Sequence, residues 1–273
     1  MLVKDAYRKA CEILKKSGAE DAKSDARFLL SYFMDIQPGM LPVFGHKECD
    51  DEFFDWVNRR VTGEPCAYIT GRCEFMSLEF FVDKNVLVPR QDTETLFELS
   101  VQYCGDEKIS VIDICTGSGC IAVSVAAYCK NASVSGIDIS HGALEIAEKN
   151  AKHNNACVSF SRLDILKEVP EGRYDLILSN PPYIRSEVIG GLDKTVKDFE
   201  PHLALNGGAD GLIFYRRIAE ISKDILNTDG RLMFEIGYDQ AEEVRDILKT
   251  LGYKGITLYY DAAKNPRVVC GNV

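Results

Sequence analysis

Apolar residues recur at helical spacing through the first sixty positions. Ala6, Ala10, Ile13 and Leu14 form one stripe, and Ala22, Ala26, Leu29, Leu30 and Phe33 form a second. Gly18 is placed to stop the first helix, and Pro38-Gly39 breaks the second. A third helix is expected over 51–61, with Phe54, Trp56 and Val57 among its apolar residues. Together these predict an N-terminal helical domain over 1–64. The period then shortens. Segments 67–71 and 78–82 read as two strands with a turn between them, predicting a β-hairpin linker over 65–88. Thr93, or Asp92 before it, is placed to cap a helix that begins near Glu94.

Beyond residue 105, short apolar runs alternate with amphipathic stretches. Strands are expected at 111–115, 133–138, 158–163, 174–179 and 231–236, and helices at 120–129, 142–153, 211–226 and 240–251. Segments 256–260 and 267–270 read as a closing antiparallel pair. Repeated strand–helix units imply a parallel, doubly wound sheet, here spanning 89–273.

Composition adds constraints. The chain has 273 residues, 46% of them hydrophobic, enough for a substantial core. Its net charge of −10 argues against a protein held mainly on phosphate backbone by diffuse positive charge. Ten cysteines lie scattered through apolar segments with no Cys-x-x-Cys spacing, and there are only four histidines. That pattern fits buried free thiols in a reducing compartment, with no metal site expected. No cleavable apolar leader and no membrane-spanning run is evident. A soluble, cytoplasmic monomer is expected.

Candidate chemistry begins where the strand at 111–115 meets its helix. Asp113-Ile114-Cys115-Thr116-Gly117-Ser118-Gly119 forms a Gly-rich turn, which lets backbone approach a ligand closely. Asp138 ends the next strand, 19 residues after Gly119, where an acid can accept both ribose hydroxyls. This pair marks an adenosine-type cofactor. Gly117-x-Gly119-x-x-Ala122 also fits a dinucleotide fingerprint, so a nicotinamide enzyme stays open on these residues alone. Asp164 follows the third strand, where it can accept from an adenine amino group while Ile165 packs on the ring.

The most informative stretch is Asn180-Pro181-Pro182-Tyr183, directly after a buried strand. Two prolines remove two amide donors and stiffen the backbone. The Asn180 side-chain oxygen and the Pro181 carbonyl then form a preorganised acceptor pair, and Tyr183 adds a flat ring. Such a pair suits a planar NH2 group, whose nitrogen is a poor nucleophile because its lone pair is delocalised. Two accepted N–H bonds stabilise the positive charge that grows on nitrogen as it attacks a methyl group.

Taken together, the Gly-rich turn, the strand-two acid and Asn-Pro-Pro-Tyr resemble the amino-directed class I methyltransferases, which use S-adenosyl-L-methionine. Further segments resemble the release factor glutamine methyltransferases, the PrmC/HemK family. These are Gly63–Gly71, Glu74-Phe75, Leu87–Arg90, Asp92–Glu94, Phe199-Glu200-Pro201, Gly207-Gly208, Asp210-Gly211-Leu212, Glu235-Ile236-Gly237, Gln240 and Arg267-Val268-Val269. The resemblance implies a Rossmann-like, seven-stranded, mostly parallel sheet behind an N-terminal helical bundle and a hairpin linker. It implies methylation of the glutamine amide nitrogen in the Gly-Gly-Gln tip of class I peptide chain release factors, with no direct nucleic-acid binding. Carried over, Cys115, Thr116, Gly117, Ser118, Gly119, Asp138, Asp164, Ile165 and Asn180 would hold the cofactor. Asn180, Pro181, Pro182 and Tyr183 would hold the substrate amide, with Asn180, Pro181 and Tyr183 catalytic. Pro89-Arg90 would lie beside the mouth of the site.

The sequence also departs from the family pattern. Cys115 stands where the first Gly of Gly-x-Gly-x-Gly is usual, so its side chain would crowd the methionine part of the cofactor. Gln91 replaces a usual Pro, and Ile165 replaces a frequent aromatic. The competing readings are an adenine or guanine N-methyltransferase on nucleic acid, a nicotinamide dehydrogenase, and a binding module that has lost catalysis.

Overall fold

The computed structural model describes all 273 residues. The chain forms two compact units, one of Met1–Arg72 with Asp193–Phe199, the other of Cys73–Leu192 with Glu200–Val273.

The first unit is helical. Its main helices are α1 (Val3–Lys16), α2 (Ala22–Phe33) and α4 (Phe53–Val61), with α3 (Leu41–Phe44) a single turn between them. The apolar stripes meet as the spacing predicts: Ala6, Ala10 and Leu14 of α1 pack with Ala26, Leu29 and Leu30 of α2 and with Phe53 and Val57 of α4, all fully buried. Phe33 meets Trp56 edge-on, ring centroids 5.3 Å apart.

The segment 67–71, expected as a strand, falls instead in a short helix, α5 (Cys66–Thr70), and its Gly71 cap. Pro65 sets its start and Gly71, at φ 72°, ends it in the left-handed region. The Thr70 hydroxyl donates back to the Cys66 carbonyl at 3.1 Å, which closes the turn. The hairpin begins later, with β1 (Arg72–Phe75) and β2 (Leu78–Phe81). Met76 and Ser77, at φ 50° and 59°, supply the two left-handed residues of a tight two-residue turn.

The second unit holds a seven-stranded sheet in the order β5-β4-β3-β6-β7-β9-β8. The strands are β3 (Ser110–Ile114), β4 (Ser133–Asp138), β5 (Val158–Arg162), β6 (Tyr174–Ser179), β7 (Leu226–Glu235), β8 (Lys254–Tyr260) and β9 (Pro266–Asn272). Only β9 runs against its neighbours. The central strands are apolar on both faces, as a sheet covered on both sides requires. Val111, Ile112 and Ile114 of β3 and Leu176, Ile177 and Leu178 of β6 are buried throughout. On one side lie α6 (Glu94–Cys104), α7 (Cys120–Tyr128) and α8 (His141–His153). A single turn, α10 (His202–Leu205), precedes α11 (Ile213–Ile225) and α12 (Ala241–Thr250), which cover the other side, while the short α9 (Lys194–Lys197) belongs to the first unit. Side chains alternate across the sheet. Ile112, Ile177, Leu232 and Phe234 meet α11 and α12 in one core, while Asp113, Leu178 and Glu235 project toward α6 and α7.

The expected elements of this unit fall where the pattern put them, with two displaced starts. α11 begins at Ile213, because Gly211 takes φ 76° and Asp210 Oδ1 accepts the Leu212 N–H at 3.1 Å. β7 begins at Leu226, five residues early, across an irregularity in its pairing with β6.

Candidate active site

The turn after β3 is built around a single acid on the neighbouring strand. Gly117 N–H donates to Asp138 Oδ2 at 2.9 Å, and Ser140 N–H donates to Asp138 Oδ1 at 2.9 Å. Thr116 N–H donates to the Ile137 carbonyl at 2.9 Å, and its hydroxyl donates to Asp113 Oδ2 at 2.6 Å. The capping role on α8 belongs to Ser140, whose hydroxyl accepts the Ala143 N–H at 3.2 Å. Gly119 has φ 76°, and a Cβ there would sit 3.0 Å from Cβ of Ala147 on α8. Its glycine therefore serves close helix packing as well as the turn.

Burial raises the Asp138 carboxyl above its ordinary value, against the pull of the Ser140, Gly117 and Ile139 amides. Asp113 is fully buried and its carboxyl is pushed up to about 7 by desolvation, with Oδ1 lacking any hydrogen bond. Cys115 takes φ 62°, a left-handed conformation that is strained for a residue with a Cβ. Desolvation, followed by the nearby Asp138 and Asp113, holds its thiol well above the ordinary range.

A cavity of about 270 Å³ opens over the C-terminal ends of β3, β4 and β6, where open α/β sheets bind ligands. Its wall contains Cys115, Thr116, Gly117, Ser118, Asp138, Asp164, Ile165, Asn180 and Pro182 from the sequence-derived set, and also Pro89 and Arg90. Asp164 accepts from Lys167 Nζ at 2.8 Å and from the Leu166 N–H at 3.2 Å. Its pKa falls below the usual carboxylate value, chiefly through Lys167. Arg90 donates to Glu200 Oε1, an otherwise buried carboxylate.

Three expected residues lie outside the wall. Gly119 lies between Ser118 and Cys120, which do line it. Pro181 and Tyr183 are displaced by alternation: each Pro forces the residue before it into extended backbone, so Asn180 and Pro182 share one side and Pro181 and Tyr183 the other. Tyr183 packs against the core shared with α11 and α12, and burial pushes its hydroxyl up to about 12.

Two residues to which the sequence reading gave no role at the site hold this turn. Gln240, only 3% exposed, donates from Nε2 to the Tyr183 carbonyl at 3.0 Å and to the Gly211 carbonyl at 3.3 Å. Its Oε1 accepts the Gly237 N–H at 3.1 Å. Thr93, expected as a helix cap, makes no cap bond; a 3-10 turn over Gln91–Thr93 leads into α6 instead. Its hydroxyl oxygen accepts Asn180 Nδ2–H at 3.3 Å. The Asn180 side-chain oxygen is thereby turned away from Thr93. The signal in the sequence for Thr93 was its place in the family-like Asp92–Glu94 segment.

The sheet order with a single antiparallel strand, the Gly-rich turn after the first strand and the acid after the second define a class I methyltransferase. Comparisons agree. The family described as Methyltransferase small domain matches residues 93–208, and the one described as PrmC N-terminal domain matches residues 5–71. The release factor glutamine methyltransferase of Clostridium acetobutylicum is 41% identical over 278 residues, covering 98% of each chain. That of Geobacter sulfurreducens is 36% identical, covering 95% of this chain and 93% of its own. Among solved structures, a methyltransferase from Pyrococcus furiosus shares the fold with a TM-score of 0.56 at 19% identity, over 72% of this chain and 90% of its own. The chain belongs to the release factor glutamine methyltransferase family and is a methyltransferase enzyme. No helix is long and apolar enough to cross a membrane.

Proposed function

We propose that this enzyme transfers a methyl group from S-adenosyl-L-methionine to the side-chain amide nitrogen of the glutamine in the Gly-Gly-Gln motif of class I peptide chain release factors. The products are N5-methylglutamine and S-adenosylhomocysteine. The observation that carries the reading is the Asn180 amide: its NH2 is engaged by Thr93, so its oxygen is a fixed acceptor on the wall of the cavity that contains Asp138.

The residues present fit the cofactor. An ionised carboxylate has about four acceptor positions, and Asp138 uses two on backbone amides, leaving two for ribose hydroxyls. Ile137, Ile165 and Leu166 supply apolar walls for an adenine ring, and Asp164 an acceptor for its amino group. Cys115, on the cavity wall, is the residue whose side chain is expected to crowd the cofactor. When bound, S-adenosylmethionine supplies an electrophilic methyl group.

Asn180 Oδ1 accepts one N–H bond of the substrate amide and the Pro181 carbonyl is assigned the other; together they fix the amide plane so that the nitrogen lone pair, which lies perpendicular to it, faces the methyl donor. Charge developing on nitrogen strengthens both bonds, so the stabilisation is greatest in the transition state. No strong base is needed beforehand: as the N–C bond forms and the S–methyl bond breaks, positive charge passes to the nitrogen, whose proton becomes acidic only then and is lost to water. The N-terminal helical unit is assigned the docking of the release factor. The nucleic-acid alternative has less support, since the net charge is −10 and the curated relatives are named for a protein substrate.

The test is methyl transfer to a purified, unmodified class I release factor, mapped by peptide mass spectrometry. One added methyl on the motif glutamine, absent with a Gln→Ala factor, is expected. Transfer only to nucleic acid would overturn the substrate.

A further inference from the structure

We propose that Glu235 is a positioning residue of this site: through Thr93, its buried carboxylate holds the Asn180 amide with the oxygen toward the cavity. The inference rests on the methyl-transfer reading above.

The placement follows from the sheet. Leu178 pairs with Met233 and Ser179 with Phe234, so the next step brings Asn180 abreast of Glu235, the last residue of β7. Phe234 points toward α11, its ring 5.2 Å from that of Tyr215. Alternation therefore turns Glu235 to the opposite face, where Thr93 enters α6. Both side chains are 2% exposed. Glu235 Oε2 has no hydrogen bond, and Thr93 and Asn180 are the polar neighbours that favour the ionised carboxyl.

A buried carboxylate in this position decides an otherwise ambiguous geometry. The Thr93 oxygen accepts from Asn180, so its own proton needs an acceptor. Ionised Glu235 only accepts. Thr93 must then donate to it, and the Asn180 NH2 must face Thr93. If Glu235 is protonated, it donates instead. Thr93 is then free to donate to Asn180 Oδ1, and the amide can rotate to present its NH2 to the cavity. That face repels the N–H bonds of a substrate amide.

Burial, with the nearby Asp92 charge adding to it, pushes the Glu235 carboxyl up to about 7, against the opposite pull of Thr93, Arg267 and Asn180. Arg267 enters from β9 and Asp92 from the turn before α6. Tyr183, Tyr215 and Cys120 are the other titratable groups that sense its charge. Arg267 is shared, pairing with Asp92 at 2.9 Å and Asp261 at 3.1 Å, so Glu235 has no ion pair of its own.

The experiment is kcat and KM for release-factor methylation from about pH 5.5 to 8.5 in the wild type, Glu235→Gln and Thr93→Val. Wild-type kcat should fall as pH drops through about 7, the carboxyl's own range. Glu235→Gln should lack that limb, with kcat roughly ten- to a hundredfold lower and KM and cofactor Kd changed only a few-fold. Thr93→Val should match it, guarding against a folding defect in either variant. Unchanged kcat in Glu235→Gln overturns the role. So does a limb that persists there, which would belong to Asp113, whose carboxyl also titrates near 7. Absence of transfer by the wild type overturns the methyl-transfer reading and this role together.

Discussion

Gln240 donates to the Tyr183 carbonyl at 3.0 Å, joining the start of α12 to the rear of the Asn180–Tyr183 turn. The same side chain accepts from Gly237 and donates to Gly211, so three loops converge on one buried amide. Gly207 completes the backing: a Cβ there would lie 2.7 Å from the Tyr183 Cα. The rigidity of the turn thus comes from behind as well as from its two prolines.

Gln240→Leu keeps the volume but leaves the three backbone groups unpaired. A loss of about 3 kcal/mol or more in urea unfolding is expected, since buried polar groups left unsatisfied each cost about 1–3 kcal/mol. Turnover should drop at least about tenfold, because displacement of the turn by a fraction of an ångström misaligns the acceptor pair. Unchanged turnover would mean that the prolines alone fix the turn.

Asn180→Ala removes one acceptor of the substrate amide. The expected loss in kcat is about a hundredfold or more, comparable to removing a preorganised transition-state hydrogen bond. Steady-state kinetics with a saturating release factor would show it, and near-normal turnover would rule out the proposed geometry.

Asp138→Ala should act first on cofactor affinity. The Gly117 and Ser140 amides lose their shared acceptor, so the turn loosens along with the loss of the ribose contact. Calorimetric titration with S-adenosylmethionine should give a much higher Kd; an unchanged value would remove Asp138 from cofactor binding.

Cys115→Gly relieves the left-handed strain, about 1–2 kcal/mol, while giving the unfolded chain more freedom, about 0.5–1 kcal/mol. Stability should therefore move by no more than about 1 kcal/mol. Removing the side chain from the cavity wall should tighten cofactor binding several-fold, readable in the same titration. Equal affinity would show that the thiol does not crowd the site.

Asp113 gives a pH signature. Its folded-state pKa of about 7 lies above the ordinary carboxylate value, so the native state holds the proton more tightly than the unfolded chain. Its contribution is full below about pH 4 and is lost as pH rises through about 7. Asp113→Asn cannot ionise. The stability of that variant relative to wild type should climb between about pH 4 and 7 and level off above, as measured by urea midpoints; a constant difference would mean that Asp113 is ionised throughout.

Much of this molecule could be read before its fold was seen. Apolar runs such as 111–114 and 176–178 mark central strands, because both faces of the sheet are covered. The cofactor turn and Asp138 announce themselves by glycine spacing and offset. The short helix at 66–70 was hidden because Ala67, Tyr68, Ile69 and Thr70 suit a strand in isolation, while Pro65 and Gly71 impose a turn. The displacement of Pro181 and Tyr183 depends on backbone alternation that a motif does not encode. Glu235 and Gln240 matched the family pattern, but their work is done from strands and loops remote in sequence. Only the pairing of β6 with β7 brings Glu235 beside Asn180.

One contact extends beyond catalysis. Asn150, fully buried on α8, donates from Nδ2 to the Ser118 carbonyl at 2.9 Å and to the Phe81 carbonyl at 3.0 Å, and its Oδ1 accepts the Phe81 N–H at 2.7 Å. A single side chain therefore satisfies both the cofactor turn and the end of the hairpin. The two segments are thereby coupled through one side chain, so ligand binding that orders the turn is expected to slow amide exchange at Phe81, and by linkage fraying of the hairpin end is expected to weaken that binding.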